Sequence, residues 1–224
     1  MDVRKLKRKA ILRFLFGTIV YAGIFFFTAG TIRYWEAWMF LAALLIPMIF
    51  TVRYFLRTDP EFLQRRLISR EPRLQQKLIQ ILGAAFWLPA MFLPGLDHRF
   101  GWTSVPVVVV VLGDVLLLSG YYIAILSMKE NRFASRTIRV EEGQEVVTTG
   151  PYQWVRHPMY LGSSIMTLAA PLALGSYLAL VPTLLLPIFM VLRILDEERV
   201  LLAELPGYRE YTRNTRYRLI PRVW

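Results

Sequence analysis

Two groups of polar side chains in the C-terminal half of this chain have the residue types of a reactive site. The first lies within residues 150–160, where two tyrosines, Arg156 and His157 directly precede a long apolar run. Polar groups at the mouth of an apolar segment are costly to keep there, and they are therefore candidates for a functional site. The same residue types also anchor helix ends at the level of lipid headgroups, so these residues alone leave both interpretations open.

The second group is Arg193, Glu197 and Glu198. On a helix, a spacing of four residues places Arg193 and Glu197 on the same face, and we expect this face to point back toward the first group. A structural ion pair with this spacing is common, so the second group alone does not establish a site. If the two groups meet at one cleft at the membrane edge, a functional site is favoured over both helix anchoring and a structural ion pair.

The composition indicates that a membrane protein holds these groups. Of the 224 residues, 55% are hydrophobic, whereas soluble domains average roughly 45–50%. Such an excess leaves too little polar surface for a soluble or a disordered chain. The sequence has no cysteine and only two histidines, which excludes disulfides, cysteine nucleophiles and thiolate metal sites, and we predict no metal.

Five long apolar stretches predict the helices that position the site. The first four predict membrane spans near residues 14–32, 38–55, 78–96 and 105–126. The fifth, residues 160–195, is too long for one span and is broken by Pro, Gly and Ser at 171–176, so it predicts a helical hairpin. We therefore predict an all-α polytopic membrane helix bundle, with a four-span region over residues 1–127 and a catalytic region over residues 128–224. The catalytic region would contain a cofactor-binding loop, the transmembrane hairpin and a cytosolic tail.

The positive charges predict the orientation of this bundle. The chain carries 27 Lys and Arg residues against 16 Asp and Glu residues. With the N-terminus inside, Arg33 and Arg99 are the only basic residues that fall in external loops. Basic residues concentrate in cytoplasmic loops, so we predict that the N-terminus and the cofactor pocket face the cytoplasm. The net charge of +11 then reflects topology and contact with anionic lipids, and we predict no nucleic-acid partner.

Three further features lead to structural expectations. Residues 57–77 predict an amphipathic surface helix, whose apolar residues are Phe62, Leu63, Leu67 and Ile68. Residues 137–149 alternate around a glycine-containing turn, which predicts either a short hairpin or an extended loop. Asp114 lies in the middle of the fourth span, where it could face a substrate cavity or pair with a neighbouring helix, and we expect the pairing.

Five short motifs follow one another within residues 130–224. They are Gly-Pro-Tyr at 150–152, Arg-His-Pro-x-Tyr-x-Gly at 156–162, Arg-x-x-x-Glu-Glu-x-x-Leu at 193–201, Gly-Tyr-x-x-Tyr at 207–211 and Arg-x-Ile-Pro at 218–221. In this order and spacing they resemble the isoprenylcysteine carboxyl methyltransferase family, which also includes phospholipid methyltransferases. The four N-terminal spans match that family only as hydrophobic helices.

The resemblance implies an integral-membrane enzyme that uses S-adenosylmethionine without the Rossmann fold of soluble methyltransferases. Consistent with this, the sequence contains no Gly-x-Gly-x-x-Gly motif. Carried over position by position, the implied cofactor-binding residues are Gln144, Glu145, Val146, Val147, Tyr152, His157, Pro158, Met159, Tyr160 and Glu197. Arg193 matches the position that meets the substrate, and the implied catalytic residues are Arg193, His157 and Glu197.

The chemistry of a sulfonium methyl group agrees with this residue set. Its transfer needs alignment and a desolvated nucleophile more than it needs acid–base help. A carboxylate acceptor has no proton to lose, and Arg193 could orient it through a bidentate contact. We therefore predict that His157 is a hydrogen-bonding wall of the pocket rather than a general base. The predicted acceptor is lipophilic, most of all a carboxylate such as the C-terminus of a prenylated cysteine.

Three other functions stay open at this point. The acceptor could instead be a phospholipid amine or a small thiol, because the spans that would shape its cavity carry no readable motif. NADPH-dependent membrane sterol reductases share an Arg-His-Pro-x-Tyr element, but they usually place Asn before the Tyr, where this chain has Met159. The third class is a membrane protein that uses the scaffold for binding or assembly without catalysis.

Overall fold

Four long apolar helices form the N-terminal part of the computed structural model, which describes residues 3–67, 73–134 and 137–224. They are α1 (Val3–Ala29), α2 (Trp35–Thr58), α4 (Leu74–Phe100) and α5 (Val107–Glu130), and the short α3 (Pro60–Arg66) lies between α2 and α4. Each of the four long helices is long and apolar enough to cross a bilayer. The predicted four spans are confirmed, and the chain is an integral membrane protein.

Helix α4 continues through two prolines that lie within the third predicted span. Pro89 and Pro94 both lie inside the helix. Each proline removes a backbone donor and crowds the preceding turn. Membrane helices tolerate this because neighbouring helices and local adjustments satisfy the freed carbonyl groups.

The C-terminal part contains the predicted helical hairpin, which is confirmed. Its arms are α6 (Pro158–Ala173) and α8 (Leu186–Glu204), and the one-turn helix α7 (Leu180–Thr183) lies between them. Pro158 begins α6, where a missing backbone N–H costs nothing. After α8, Gly207 turns the chain with a φ of +82°, and α9 (Tyr208–Asn214) follows.

Helices α5 and α6 pack closely because glycines face each other across their contact. A Cβ atom added to Gly120 would lie 2.6 Å from the carbonyl oxygen of Gly162, so neither position has room for a side chain. Small residues of this kind allow membrane helices to approach backbone to backbone. The close contact fixes the start of α6, where the first polar group lies, against the end of α5.

The division of the chain into two regions at residue 127 stays a prediction.

Two connecting segments take definite forms. Helix α3 is capped by the Asp59 side chain, which accepts a hydrogen bond from the backbone N–H of Phe62 at 2.9 Å. Phe62 and Leu63 are buried in a cluster with Ala10 and Phe55 rather than laid on the lipid surface, and Ile68 lies outside the described residues. Residues 137–149 form an extended loop with a turn at its glycine, and no strand occurs in the described part of this segment.

The expected pairing of Asp114 is wrong. The side chain is buried on α5 with 5% exposure. Within the described part of the chain, neither of its carboxylate oxygens has a hydrogen-bond partner. The neighbouring Gly113 packs against the backbone of Ala173, where an added Cβ atom would lie 2.5 Å from the Ala173 nitrogen.

Candidate active site

A pocket lies at the end of the bundle where α6 begins and α8 ends. Its empty volume is about 820 Å³, including the space at its open mouth. The residues that the sequence analysis assigned to cofactor, acceptor or catalysis all line it: Gln144, Glu145, Val146, Val147, Tyr152, His157, Pro158, Met159, Tyr160, Arg193 and Glu197. The two polar groups that are about 40 residues apart in sequence therefore meet in one place.

Tyr160 joins the two arms of the hairpin at the pocket wall. Its hydroxyl donates a hydrogen bond to Glu197 Oε2 at 2.6 Å. The same hydroxyl accepts a hydrogen bond from Arg193 Nε at 2.8 Å. Arg193 and Glu197 share one face of α8, as their spacing predicts, and a tyrosine from α6 lies between their charged groups.

Glu198 has different surroundings from Glu197 and is not part of the pocket lining. Its Oε1 accepts a hydrogen bond from Arg156 Nε at 2.6 Å, and its Oε2 accepts one from Arg218 Nε at 2.7 Å. His157 Nε2 lies 3.3 Å from Oε1. The side chains of Arg156 and Glu198 are each only 6% exposed, so this is a buried ion pair.

The electrostatic state of Glu198 follows from these contacts. It lies where α8 continues past its apolar residues. Burial by itself would raise its pKa, but the hydrogen bonds from His157, Arg156 and Arg218 together lower the pKa from 4.5 to about 2. Because an ionised carboxylate only accepts hydrogen bonds, His157 Nε2 must donate to Glu198. This contact fixes the imidazole ring in the pocket wall.

The C-terminal tail is held to the site by Arg156. Arg156 Nη1 donates hydrogen bonds to the carbonyl oxygens of Thr215 at 2.9 Å and Arg216 at 2.8 Å. The backbone N–H groups of Arg156 and His157 donate to the carbonyls of Tyr217 and Arg218, each at 2.9 Å. The tail is thereby part of the structure that fixes the Arg-His-Pro turn.

Helix α9 closes the pocket with an aromatic wall. Tyr152, Leu205, Tyr208 and Tyr211 form a buried cluster against the extended loop. Tyr211 donates a hydrogen bond to the Tyr152 carbonyl at 2.7 Å, and burial raises the pKa of Tyr211 to about 12, so its hydroxyl stays protonated. The Tyr208 hydroxyl is buried at the pocket without a hydrogen-bond partner among the described residues. A buried polar atom of this kind is suited to a ligand group.

Several polar residues at or behind the site were not predicted from the sequence, among them Tyr208, Gln76 and Asp196. Tyr208 carried a signal, since it belongs to one of the motifs. Gln76 and Asp196 are 0% and 1% exposed, and Gln76 donates a hydrogen bond to Asp196 Oδ2 at 2.5 Å. They lie on α4 and α8, and no spacing in the sequence indicates that these helices meet. The only local signal was an acidic residue next to the Glu-Glu pair.

Comparisons with known proteins agree with the motifs. Residues 108–208 match the family model of phospholipid methyltransferases. Among solved structures, the chain is similar to the eukaryotic intramembrane Ras methyltransferase, isoprenylcysteine carboxyl methyltransferase, solved without a monobody. The TM-score is 0.53 at 19% sequence identity, and the match covers 80% of this chain and 65% of that chain. A comparison with curated proteins returns no match.

These comparisons confirm the resemblance and the fold class. The chain has the fold of that intramembrane methyltransferase, although it spans about 65% of the length of the matching chain. The family match begins at the start of α5 and ends at the start of α9, so it contains most of the pocket lining.

Proposed function

We propose that this protein is an integral-membrane methyltransferase that transfers a methyl group from S-adenosylmethionine to a lipophilic acceptor. One observation carries the proposal. The residues that the methyltransferase motifs assign to cofactor and acceptor, which come from a loop and two helices, line a single pocket. An acceptor with a carboxylate, such as a prenylated cysteine C-terminus, suits the residues best.

The residues present fit the cofactor. When bound, S-adenosylmethionine supplies a sulfonium methyl group that a carboxylate oxygen can attack without any proton transfer. The extended loop from Gln144 to Val147 and the aromatic wall would hold the adenosine part. The carboxylate of Glu197 would balance positive charge on the cofactor, and the unpartnered Tyr208 hydroxyl would find a hydrogen-bond partner.

Arg193 would orient the acceptor. Its guanidinium can hold a carboxylate through two parallel hydrogen bonds, which fixes both distance and direction. His157 would act as a wall of the pocket, since its Nε2 is committed to Glu198. Because a carboxylate nucleophile is already deprotonated, the site needs no general base.

The pocket would open to the cytoplasm and laterally to lipid. The basic ends of α1, α2, α4 and α8 support this orientation, because positive residues concentrate on the cytoplasmic side. The bilayer would supply the lipophilic acceptor, and the cytosol would supply the cofactor.

A phospholipid amine is the second candidate acceptor, and the family model of residues 108–208 favours it. An amine would approach Glu197 rather than Arg193, because opposite charges attract at the pocket wall. The two acceptor classes therefore place different demands on the Arg193–Tyr160–Glu197 arrangement.

A methyl-transfer screen tests the proposal. Purified protein is supplied with methyl-labelled S-adenosylmethionine and, in parallel, a prenylcysteine analogue, a phosphatidylethanolamine and a small thiol. We expect label in the prenylcysteine analogue, with Arg193→Lys as a variant that loses most of it. Label in the phosphatidylethanolamine alone would replace the acceptor class, and no label in any acceptor would overturn the proposed function.

A further inference from the structure

A second polar network lies directly behind Arg193. Gln76 of α4 accepts a hydrogen bond from Arg193 Nη1 on its Oε1 at 3.1 Å. Its Nε2 donates to Asp196 Oδ2. Asp196 Oδ1 accepts a hydrogen bond from Arg73 Nη2 at 3.0 Å. Neither Gln76 nor Asp196 lines the pocket, and both are almost fully buried.

The carboxylate determines how the amide of Gln76 is turned. A carboxylate paired with an arginine only accepts hydrogen bonds, so the Gln76 nitrogen faces Asp196 and its oxygen faces Arg193. Arg73 holds the other oxygen of Asp196, which orients the carboxylate in turn. Each contact thus joins one donor to one acceptor, and reversing the amide would place two donors against each other.

Joining α4 to α8 through this buried polar network is less favourable in free energy than joining them through apolar packing. Burying an amide and a carboxylate costs free energy unless both are hydrogen-bonded. Further along the same pair of helices, the contact is made by apolar packing of Phe189 against Gly83. The polar contacts between α4 and α8 lie beside Arg193. Their location is therefore explained by contact with Arg193, since apolar packing joins the same helices further along.

Two nitrogens of the Arg193 guanidinium therefore donate hydrogen bonds to neighbouring side chains. Tyr160 holds Nε from the pocket side, and Gln76 holds Nη1 from the α4 side. An arginine side chain has several freely rotating bonds, and fixing it before an acceptor arrives removes an entropic cost of binding. A site that is held by such supporting contacts binds in the productive geometry more often.

We propose that Gln76 and Asp196 are positioning residues that hold the Arg193 guanidinium in the orientation that meets the acceptor carboxylate. The inference rests on the proposed function, because it assigns the purpose of Arg193. Neither residue contacts cofactor or acceptor, and both act through Arg193 alone.

The kinetic test uses the variant Gln76→Met. This substitution keeps the length and volume of the side chain and removes both of its hydrogen bonds. The matched control is Gln80→Met, since Gln80 is exposed on the same helix. For Gln76→Met we expect the KM of the prenylcysteine analogue to rise about ten-fold, while the KM of S-adenosylmethionine and the thermal unfolding temperature stay close to those of the control. An equal loss for both substrates, or a loss of folded protein, would show a structural role and overturn the inference.

An exchange of partners provides a rescue. In the double variant Gln76→Glu with Asp196→Asn, the amide introduced at position 196 can donate to the carboxylate introduced at position 76 and still accept from Arg73. That carboxylate can in turn still accept from Arg193. The single variant Gln76→Glu instead places two carboxylates in contact. We expect the double variant to have a lower acceptor KM than the single variant, and the reverse order would contradict the proposed network.

A measurement without turnover separates this inference from the proposed function. The Nη–H signal of Arg193 in a nitrogen-15 spectrum, identified by its loss in Arg193→Lys, reports how firmly Gln76 holds the guanidinium. We expect a sharp signal in the wild type and in Gln80→Met, and a broadened signal in Gln76→Met. An unchanged signal in Gln76→Met would overturn the inference even if the wild type transfers methyl groups, whereas absent methyl transfer in the wild type, with the signal still broadened in Gln76→Met, would overturn the proposed function and leave only the holding of the guanidinium by Gln76.

Discussion

At the scale of single residues, the neighbouring acids Glu197 and Glu198 of α8 have different surroundings. Glu197 lines the pocket and shares the Tyr160 hydroxyl with Arg193. Glu198 is turned about 100° around the helix and does not line the pocket; it binds Arg156 and Arg218 behind the pocket wall. The motif contains both acids, and only the family resemblance singled out Glu197; spacing alone could not separate the two, because their surroundings depend on where the tail and α6 lie.

Tyr160→Phe tests the bridge between the hairpin arms. The change removes one hydroxyl, so Arg193 and Glu197 each lose a hydrogen bond. We expect kcat/KM for the acceptor to fall about ten-fold, because a hydrogen bond to a charged group is lost at the site. Methyl-transfer kinetics provide the measurement, with Tyr122→Phe on the exposed face of α5 as the control. Equal kinetics in the two variants would refute a role for this hydroxyl.

Glu198→Gln tests the buried ion pair. Removing the charge leaves Arg156 and Arg218 without their counter-ion, and breaking one side of a buried pair costs about 3 kcal/mol. We expect a clearly lower thermal unfolding temperature in detergent than for Glu204→Gln, whose site is exposed on the same helix. A variant as stable as this control would mean that the pair does not stabilise the tail.

The stabilising effect of Glu198 has a defined pH dependence. Its native pKa of about 2 lies below its ordinary value of 4.5, so between these values the unfolded chain binds more protons than the native one. The contribution is complete above pH 4.5 and is lost as the pH falls toward 2. We therefore expect the stability difference between wild type and Glu198→Gln to shrink over that interval, as followed by thermal unfolding. A constant difference would contradict the lowered pKa.

At the scale of helices, the contact between α5 and α6 depends on missing side chains. A Cβ atom at Gly120 would meet the Gly162 carbonyl, whereas one at Gly23 of α1 would meet nothing within 4 Å. We expect Gly120→Ala to destabilise the protein by about 1–3 kcal/mol through overpacking. Gly23→Ala should leave the unfolding temperature unchanged or raise it, since alanine favours a helix. Equal melting of the two variants in detergent would contradict the close approach.

The helices were predictable to the extent that their signals are local. Apolar runs predicted all four spans, and the break at 171–176 predicted the hairpin formed by α6 and α8. The network of Gln76 and Asp196 was not predictable, because it depends on contact between helices more than 100 residues apart. Asp114 was predicted wrongly for the same reason. The structure brings Tyr152, His157, Tyr160, Arg193 and Glu197 of the motifs to one pocket, because these motifs lie on one hairpin and the segment before it, and the assignment of these residues to cofactor and acceptor stays a prediction.

At the scale of the whole molecule, the absence of cysteine makes the orientation directly measurable. Trp102 is 53% exposed between α4 and α5, and Glu204 is exposed at the end of α8, at the opposite end of the bundle. In intact cells we expect a membrane-impermeant maleimide to label Trp102→Cys and to label Glu204→Cys only after permeabilisation. The opposite pattern would place the pocket outside the cytoplasm.

The central claim is that the Arg-His-Pro turn and the end of α8 together enclose a methyl donor. Calorimetric titration with S-adenosylhomocysteine, the product form of that donor, tests it most directly. We predict saturable binding at one site in the wild type and in Val223→Trp, whose position is exposed, and none in Val147→Trp, which fills the pocket. Absence of saturable heat in the wild type, or equal binding in all three proteins, would contradict the claim.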